Sequence, residues 1–231
     1  MDIVSTYNAP MDVFDPEMPE RAPGLHVSTI IAELAQELYP KWFKKWVDSP
    51  EDLKRHVGHF EKGLVLEHAW GASLAQMIGG PFSRPIPKQV DGVWGSADGL
   101  CYEIPPDLVQ ARVRWPEGYP DLVSPSIHEC KMTLKSCNEL TSPIESEKYL
   151  TWIWQVKAYC YMWKCHVAYI HTLHICGDYK TRPWTPMAAV HRIDFTAGEI
   201  AAHWNWLLTE ARNRGLFEQA EALDKAAAVT H

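Results

Sequence analysis

Within PSIHECKMTLKS, residues 125–136, an acid and a base stand one position apart, Glu129 and Lys131. The segment Ser126–Met132 reads as a short strand, with Ile127 and Glu129 on one face and His128 and Cys130 on the other. The two-residue period of a strand then sets Glu129 and Lys131 side by side. Two further acids can join them, Asp98 in GSADGL and Glu67 in KGLVLEHAW. Two carboxylates meeting in a partly buried site repel, and one protonates unless a cation joins them. A hard divalent ion supplies that charge and prefers oxygen ligands, and the backbone carbonyl of Cys130 is a natural additional donor. Water on such an ion has a lowered pKa, and Lys131 beside it could orient or deprotonate it. The same ion could neutralise a phosphodiester.

Plainer readings compete. Glu129 and Lys131 could form an ion pair on an exposed edge strand. Asp98 could be an ordinary turn residue, since Asp-Gly favours turns, and Glu67 a solvated helix residue. Lys41, Lys44 and Lys45, interleaved with Trp42, Phe43 and Trp46, could grip single-stranded nucleic acid by charge and stacking. They could equally form a helix with aromatics inward and lysines in water. Arg112 and Arg114 could line a groove or lie in a solvated loop. His26, His128, His171 and His174 read as surface or satisfied strand residues and are assigned no role.

The elements that must position these groups follow from periodicity and punctuation. Residues 26–57 form an opening helical segment, with Ser28 or Thr29 as cap and helical spacing up to Pro40. A second helix opens at Ser49-Pro50 and stops at Gly79-Gly80. Asp91-Gly92 marks a hairpin between two short strands, with Asp98 at the end of the strand that follows. A Pro-rich, charged excursion fills the gap to the strand at 126–132. Residues 144–165 read as a helix rich in aromatics, 166–176 and 187–195 as strands, and 196–215 and 216–229 as closing helices. That order predicts an α/β fold, a mixed central sheet flanked by helices. Residues 1–25 form an acidic, Pro-rich arm, and 26–231 one domain. Neither a Gly-rich phosphate loop nor a GxSxG elbow occurs.

Composition bounds the classes. The 231 residues are 46% hydrophobic, ample for one core, and no apolar run reaches the ~18 residues of a membrane span. The N-terminus lacks the basic region and apolar core of a signal peptide, so a cytoplasmic location is expected. The net charge of −7 argues against a broadly basic nucleic-acid coat while leaving room for a local cationic groove. None of Cys101, Cys130, Cys137, Cys160, Cys165 and Cys176 forms a CxxC pair, which predicts reduced thiols and no zinc ribbon.

The motifs GSADGL, HECKMT and QVKAYCY resemble those of the PD-(D/E)XK nuclease superfamily, in particular its RecB-type and lambda-exonuclease-like branch. Asp98 matches the acidic strand, Glu129-Cys130-Lys131 the ExK strand, Gln155 to Tyr159 the QxxxY helix, and Gly63 to Glu67 the upstream GxxxE. The early HVSTII is similar to the Ser-rich start of RecB-type domains, and the match covers roughly residues 26–195. The resemblance implies a restriction-endonuclease-like core and hydrolysis of DNA by Mg²⁺ or Mn²⁺. It implies that Asp98 and Glu129 hold the metal with the Cys130 carbonyl, that Lys131 positions the attacking water, and that Glu67 completes the acidic pocket. His68, which follows Glu67, is the second choice for that place. Gln155 and Tyr159 would support the site or touch the DNA backbone. An exonuclease of recombination, repair or end processing is expected, phage-encoded and acting in a bacterial host. A structure-selective endonuclease and an inactive nucleic-acid-binding protein are the alternatives. A single-strand annealing or other recombination protein is the expected partner, and ring-forming members of the branch allow a homo-oligomer. Some relatives carry an iron–sulfur cluster; with no Cys before Cys101 or after Cys176, none is expected here. The gap between Asp98 and Glu129 is longer than the pattern suggests.

Overall fold

A computed structural model describes residues 22–43, 82–101, 125–133, 136–137, 147–180, 183 and 185–229. The expected helix over 49–80, with Glu67 and His68, lies outside these residues. So do Lys44, Lys45, Arg112 and Arg114.

The described chain opens with strand β1 (Leu25–His26) and helix α1 (Val27–Leu38). Leu25, at the boundary of the expected arm, is buried and pairs in parallel with Val93. Helix α1 buries Val27, Ile30, Ile31, Leu34 and Ala35, one stripe at helical spacing. Its cap is His26, whose side chain does not bond the helix, so Ser28 and Thr29 lie inside the first turn rather than capping it. His26 Nε2–H donates instead to the Ala22 carbonyl at 2.7 Å.

Strands β2 (Phe82–Ser83), β3 (Lys88–Val90), β4 (Val93–Gly95) and β5 (Gly99–Cys101) follow. The β3–β4 hairpin turns at Asp91 and Gly92, whose φ of 51° and 81° are the paired left-handed values that a two-residue turn requires. The hairpin does not continue into the main sheet. It forms a small sheet in the order β1-β4-β3, and the chain crosses over between Gly95 and Gly99.

The main sheet has five strands in the order β2-β5-β6-β7-β8, with β6 (Ser126–Thr133), β7 (Val167–His174) and β8 (Met187–Asp194). Its β6–β7 pair is parallel and the rest antiparallel, so the sheet is mixed, as expected. A parallel pair needs a long crossover, and helix α2 (Leu150–Trp163) lies within it. Helix α2 starts later than the sequence suggests, because Glu147–Tyr149 form a 3₁₀ turn first. It ends at Lys164, in the left-handed conformation at φ 56°, with the Cys165 N–H reaching back to the Cys160 carbonyl at 3.0 Å.

Helices α3 (Ala197–Asn213) and α4 (Leu216–Val229) close the chain. Helix α3 begins with a reciprocal box between Thr196 and Glu199. Its Ile200, Trp204, Leu207, Leu208 and Ala211 join a core built with α1, α2 and the sheet. Helix α2 sits at the centre of this core, in contact with β3, β6, β7, α1 and α3. The six cysteines remain thiols. Among the described residues no helix is long and apolar enough to cross a membrane.

Candidate active site

Strand β6 lies between β5 and β7, and Ser126 to Cys130 are all buried. The edge-strand reading of Glu129 and Lys131 therefore does not hold. Glu129 is 2% exposed, the Lys131 side chain 16%, and Lys131 Nζ donates to Glu129 Oε1 at 2.5 Å. Taking a carboxylate and an ammonium out of water costs several kcal/mol per ion, which a hydrophobic pair would avoid. Their place at mid-sheet points to chemistry more than to stability.

Helix α2 completes the arrangement. Lys131 Nζ also donates to Gln155 Oε1 at 3.0 Å, and Gln155 Nε2 donates to the Tyr159 hydroxyl at 2.9 Å. Gln155 and Tyr159, four residues apart, share one helical face. A continuous chain thus runs Glu129–Lys131–Gln155–Tyr159. Burial raises the pKa of Tyr159 above the ordinary phenol range, and the nearby Glu129 charge adds to this. The Gln155 bond and the Lys131 ammonium oppose the rise, and Asp98 contributes to it. Tyr159 is therefore a neutral phenol, and both acids lie within electrostatic reach of its hydroxyl oxygen.

Asp98 reaches the site from the crossover between the two sheets. Gly99 pairs with His128 in antiparallel register, and one step further along that register Asp98 comes level with Glu129. Its Oδ2 accepts the Cys130 N–H at 2.9 Å, so a side chain extends the strand ladder where the β5 backbone leaves it. Asp98 and Glu129 both act on the Tyr159 hydroxyl, although the hairpin that precedes Asp98 belongs elsewhere.

Asp98, Glu129 and the Cys130 carbonyl are hard oxygen donors. Among the described residues no three His, Cys, Asp or Glu side chains cluster to hold a metal by themselves. Mg²⁺ does not ask for that: it takes one or two carboxylates, keeps several waters and shares phosphate oxygens. The donor set fits Mg²⁺ or Mn²⁺ and does not fit a closed zinc site of nitrogen and sulfur.

The other face of β6 carries a second polar strip. The His128 ring bonds Ser126 Oγ through Nε2 at 3.0 Å and His171 through Nδ1 at 2.8 Å. It stacks on Tyr169 at 4.9 Å between centroids. Burial, then the neighbouring His171, pushes the His128 pKa down to about 3. His26, His128, His171 and His174 are all buried, so the surface alternative for them is set aside.

A cleft of about 350 Å³ opens beside Lys131 and Gln155, walled by Trp42, Phe43 and Trp152. Trp42 follows α1 in a tight turn and is 37% exposed. Its Nε1–H donates to Glu147 Oε2 at 2.9 Å, and Lys41 Nζ stands 4.7 Å from the ring centroid. The inward-packing alternative for Trp42 thus gives way to a place on the cleft wall. Trp152 was not anticipated. It sits three residues before Gln155, so the helical face that linked Gln155 to Tyr159 already contained it.

No family model matches the chain, and no curated protein does. Several solved structures show a partial likeness, among them the following three. SSO0001 is 10% identical, with 82% of this chain and 77% of that one covered and a TM-score of 0.39. An alkaline exonuclease, LHK-Exo from Laribacter hongkongensis, is 14% identical over 90% of this chain and 95% of that one, with a TM-score of 0.38. A phage-related exonuclease from Haemophilus somnus 129PT is 11% identical over 87% and 83%, with a TM-score of 0.37. Likenesses this slight carry no argument, and the fold rests on the geometry above.

Proposed function

We propose that the protein is a metal-dependent nuclease that hydrolyses DNA phosphodiesters. The observation that carries this reading is the hydrogen-bonded chain Glu129–Lys131–Gln155–Tyr159, with Asp98 bonded to the neighbouring Cys130 amide. The resemblance to PD-(D/E)XK nucleases supports the reading. Asp98, Glu129 and the Cys130 carbonyl would hold Mg²⁺ or Mn²⁺, which offsets phosphate charge and acidifies a water. Lys131 orients the attacking water and stabilises charge gathering on the phosphorus oxygens. Gln155 holds the Lys131 ammonium in place, and Tyr159 holds Gln155. Glu67, or His68 in its stead, is proposed to complete the pocket. Lys44, Lys45, Arg112 and Arg114 are proposed, with Lys41 and Trp42, to touch nucleic acid.

Action on DNA ends in recombination or repair, in the cytoplasm and beside a single-strand annealing partner, follows from the resemblance alone. So do a phage origin and a homo-oligomer. Incubating linear and circular DNA with Mg²⁺, Mn²⁺ or EDTA tests the reading. Degradation that EDTA stops and Lys131→Ala abolishes supports it. Binding without cutting in every metal would instead identify an inactive nucleic-acid-binding protein.

A further inference from the structure

We infer that the cleft beside Lys131 receives a single nucleobase, unstacked next to the phosphodiester to be cut. The inference rests on the nuclease reading and narrows its substrate to nucleic acid with an unpaired nucleotide at the cut.

Three observations carry it. The cleft is continuous with the site, because Lys131 and Gln155 belong to both. Its volume of about 350 Å³ lies in the range of small-molecule sites, which suits one base and is far too small for a duplex. Its walls are chemically matched to a base: Trp42, Phe43 and Trp152 bring aromatic rings, while Gln36 and Thr151 bring groups able to bond a base edge. Every base has a π-face, so such walls accept any sequence.

The cleft is also prepared in advance. The bond from Trp42 Nε1 to Glu147 fixes the indole by its edge, so ordering it on binding costs little. A nucleotide inside a strand carries a phosphate on each side. Lys131 in the cleft lining and Lys41 over the Trp42 ring supply ammonium groups for that pair.

The test reads binding in EDTA, so that it stands apart from cleavage. A fluorescent single-stranded deoxyoligonucleotide carries one abasic residue, stepped along its length, and anisotropy gives the affinity. In the unmutated protein, one abasic position is expected to weaken binding about tenfold, the size of one stacked base. In Trp42→Ala and Trp152→Ala that position should weaken binding no more than the others do. Trp42→Phe should restore the difference, which separates stacking from misfolding. An equal effect at every position, or an unchanged pattern in both alanine variants, overturns the inference. Cleavage without a position effect would remove the base site and leave the nuclease standing. A position effect without cleavage in any metal would do the reverse. No binding of the oligonucleotide at all would overturn the inference.

Discussion

Glu129 and Lys131 answer for each other. Replacing Lys131 by Ala leaves a carboxylate at mid-sheet without its ammonium, a change that costs about 3–5 kcal/mol when a buried pair is broken. Lys131→Ala is expected to lower Tm, and Mn²⁺ should raise the Tm of the variant more than that of the unmutated protein, because the ion restores the missing charge. Cleavage should fall by at least about a hundredfold; calorimetry with and without metal, beside a plasmid assay, checks both. Asp98→Asn separates charge from shape. The Asn carbonyl can still accept the Cys130 N–H, so stability should change by less than about 1 kcal/mol. Mn²⁺ affinity, read by electron paramagnetic resonance, should drop at least about tenfold. At this scale much of the geometry was legible in the sequence. Glu129 with Lys131, and Gln155 with Tyr159, follow from the periods of strand and helix. Trp152 obeys the same helical rule, but an aromatic helix offers too many candidates for the sequence to single it out. The burial of His128 and His171 was not legible, since what covers the back of a sheet is set by distant chain.

Elements couple to the site through one close approach. A Cβ on Gly95 would lie 2.4 Å from Met162 Sδ and 3.2 Å from Tyr159 Cε1. The small sheet therefore rests on helix α2 at a point where an added Cβ would force the Met162 thioether to shift. Gly95→Ala should cost about 1–3 kcal/mol, as overpacking does, and lower activity by moving Tyr159. Adding Met162→Ala should recover part of the stability, and denaturant midpoints of the single and double variants measure this. The Thr196 box is simpler: Thr196→Ala should cost about 1 kcal/mol with activity unchanged. Local chemistry made the closing helices legible, since Thr196 and Gly215 punctuate them on the chain itself. Strand β1 was not legible, because two residues become a strand only when Val93 and Trp94 pair with them. Nor was the split of the strands into two sheets, which depends on what packs between them.

At the scale of the whole molecule, helix-to-helix packing makes stability depend on pH. His203 Nε2–H donates to the Trp154 carbonyl at 2.9 Å, joining α3 to α2. Burial lowers its pKa to about 4, with the nearby Lys157 charge helping and the Trp154 bond opposing. The folded imidazole thus stays neutral at a pH where the unfolded one, near 6.5, has taken a proton. The unfolded state then binds more protons, so this contribution to stability falls as pH drops from about 6.5 to about 4, by at most about 1.4 kcal/mol per pH unit. His203→Gln should flatten the Tm profile over that window, which scanning calorimetry in a buffer series would show.

The pairing of β6 with β7 has a last consequence. A slip of one residue would exchange the two faces of β6, sending Glu129 and Lys131 to the His128 side and presenting imidazole to Gln155. It would also take the Cys130 amide away from Asp98. A chain still on the ribosome, or one aligned wrongly, holds every ingredient and no blade. Under the proposed reading, only a copy whose sheet is aligned throughout can cut.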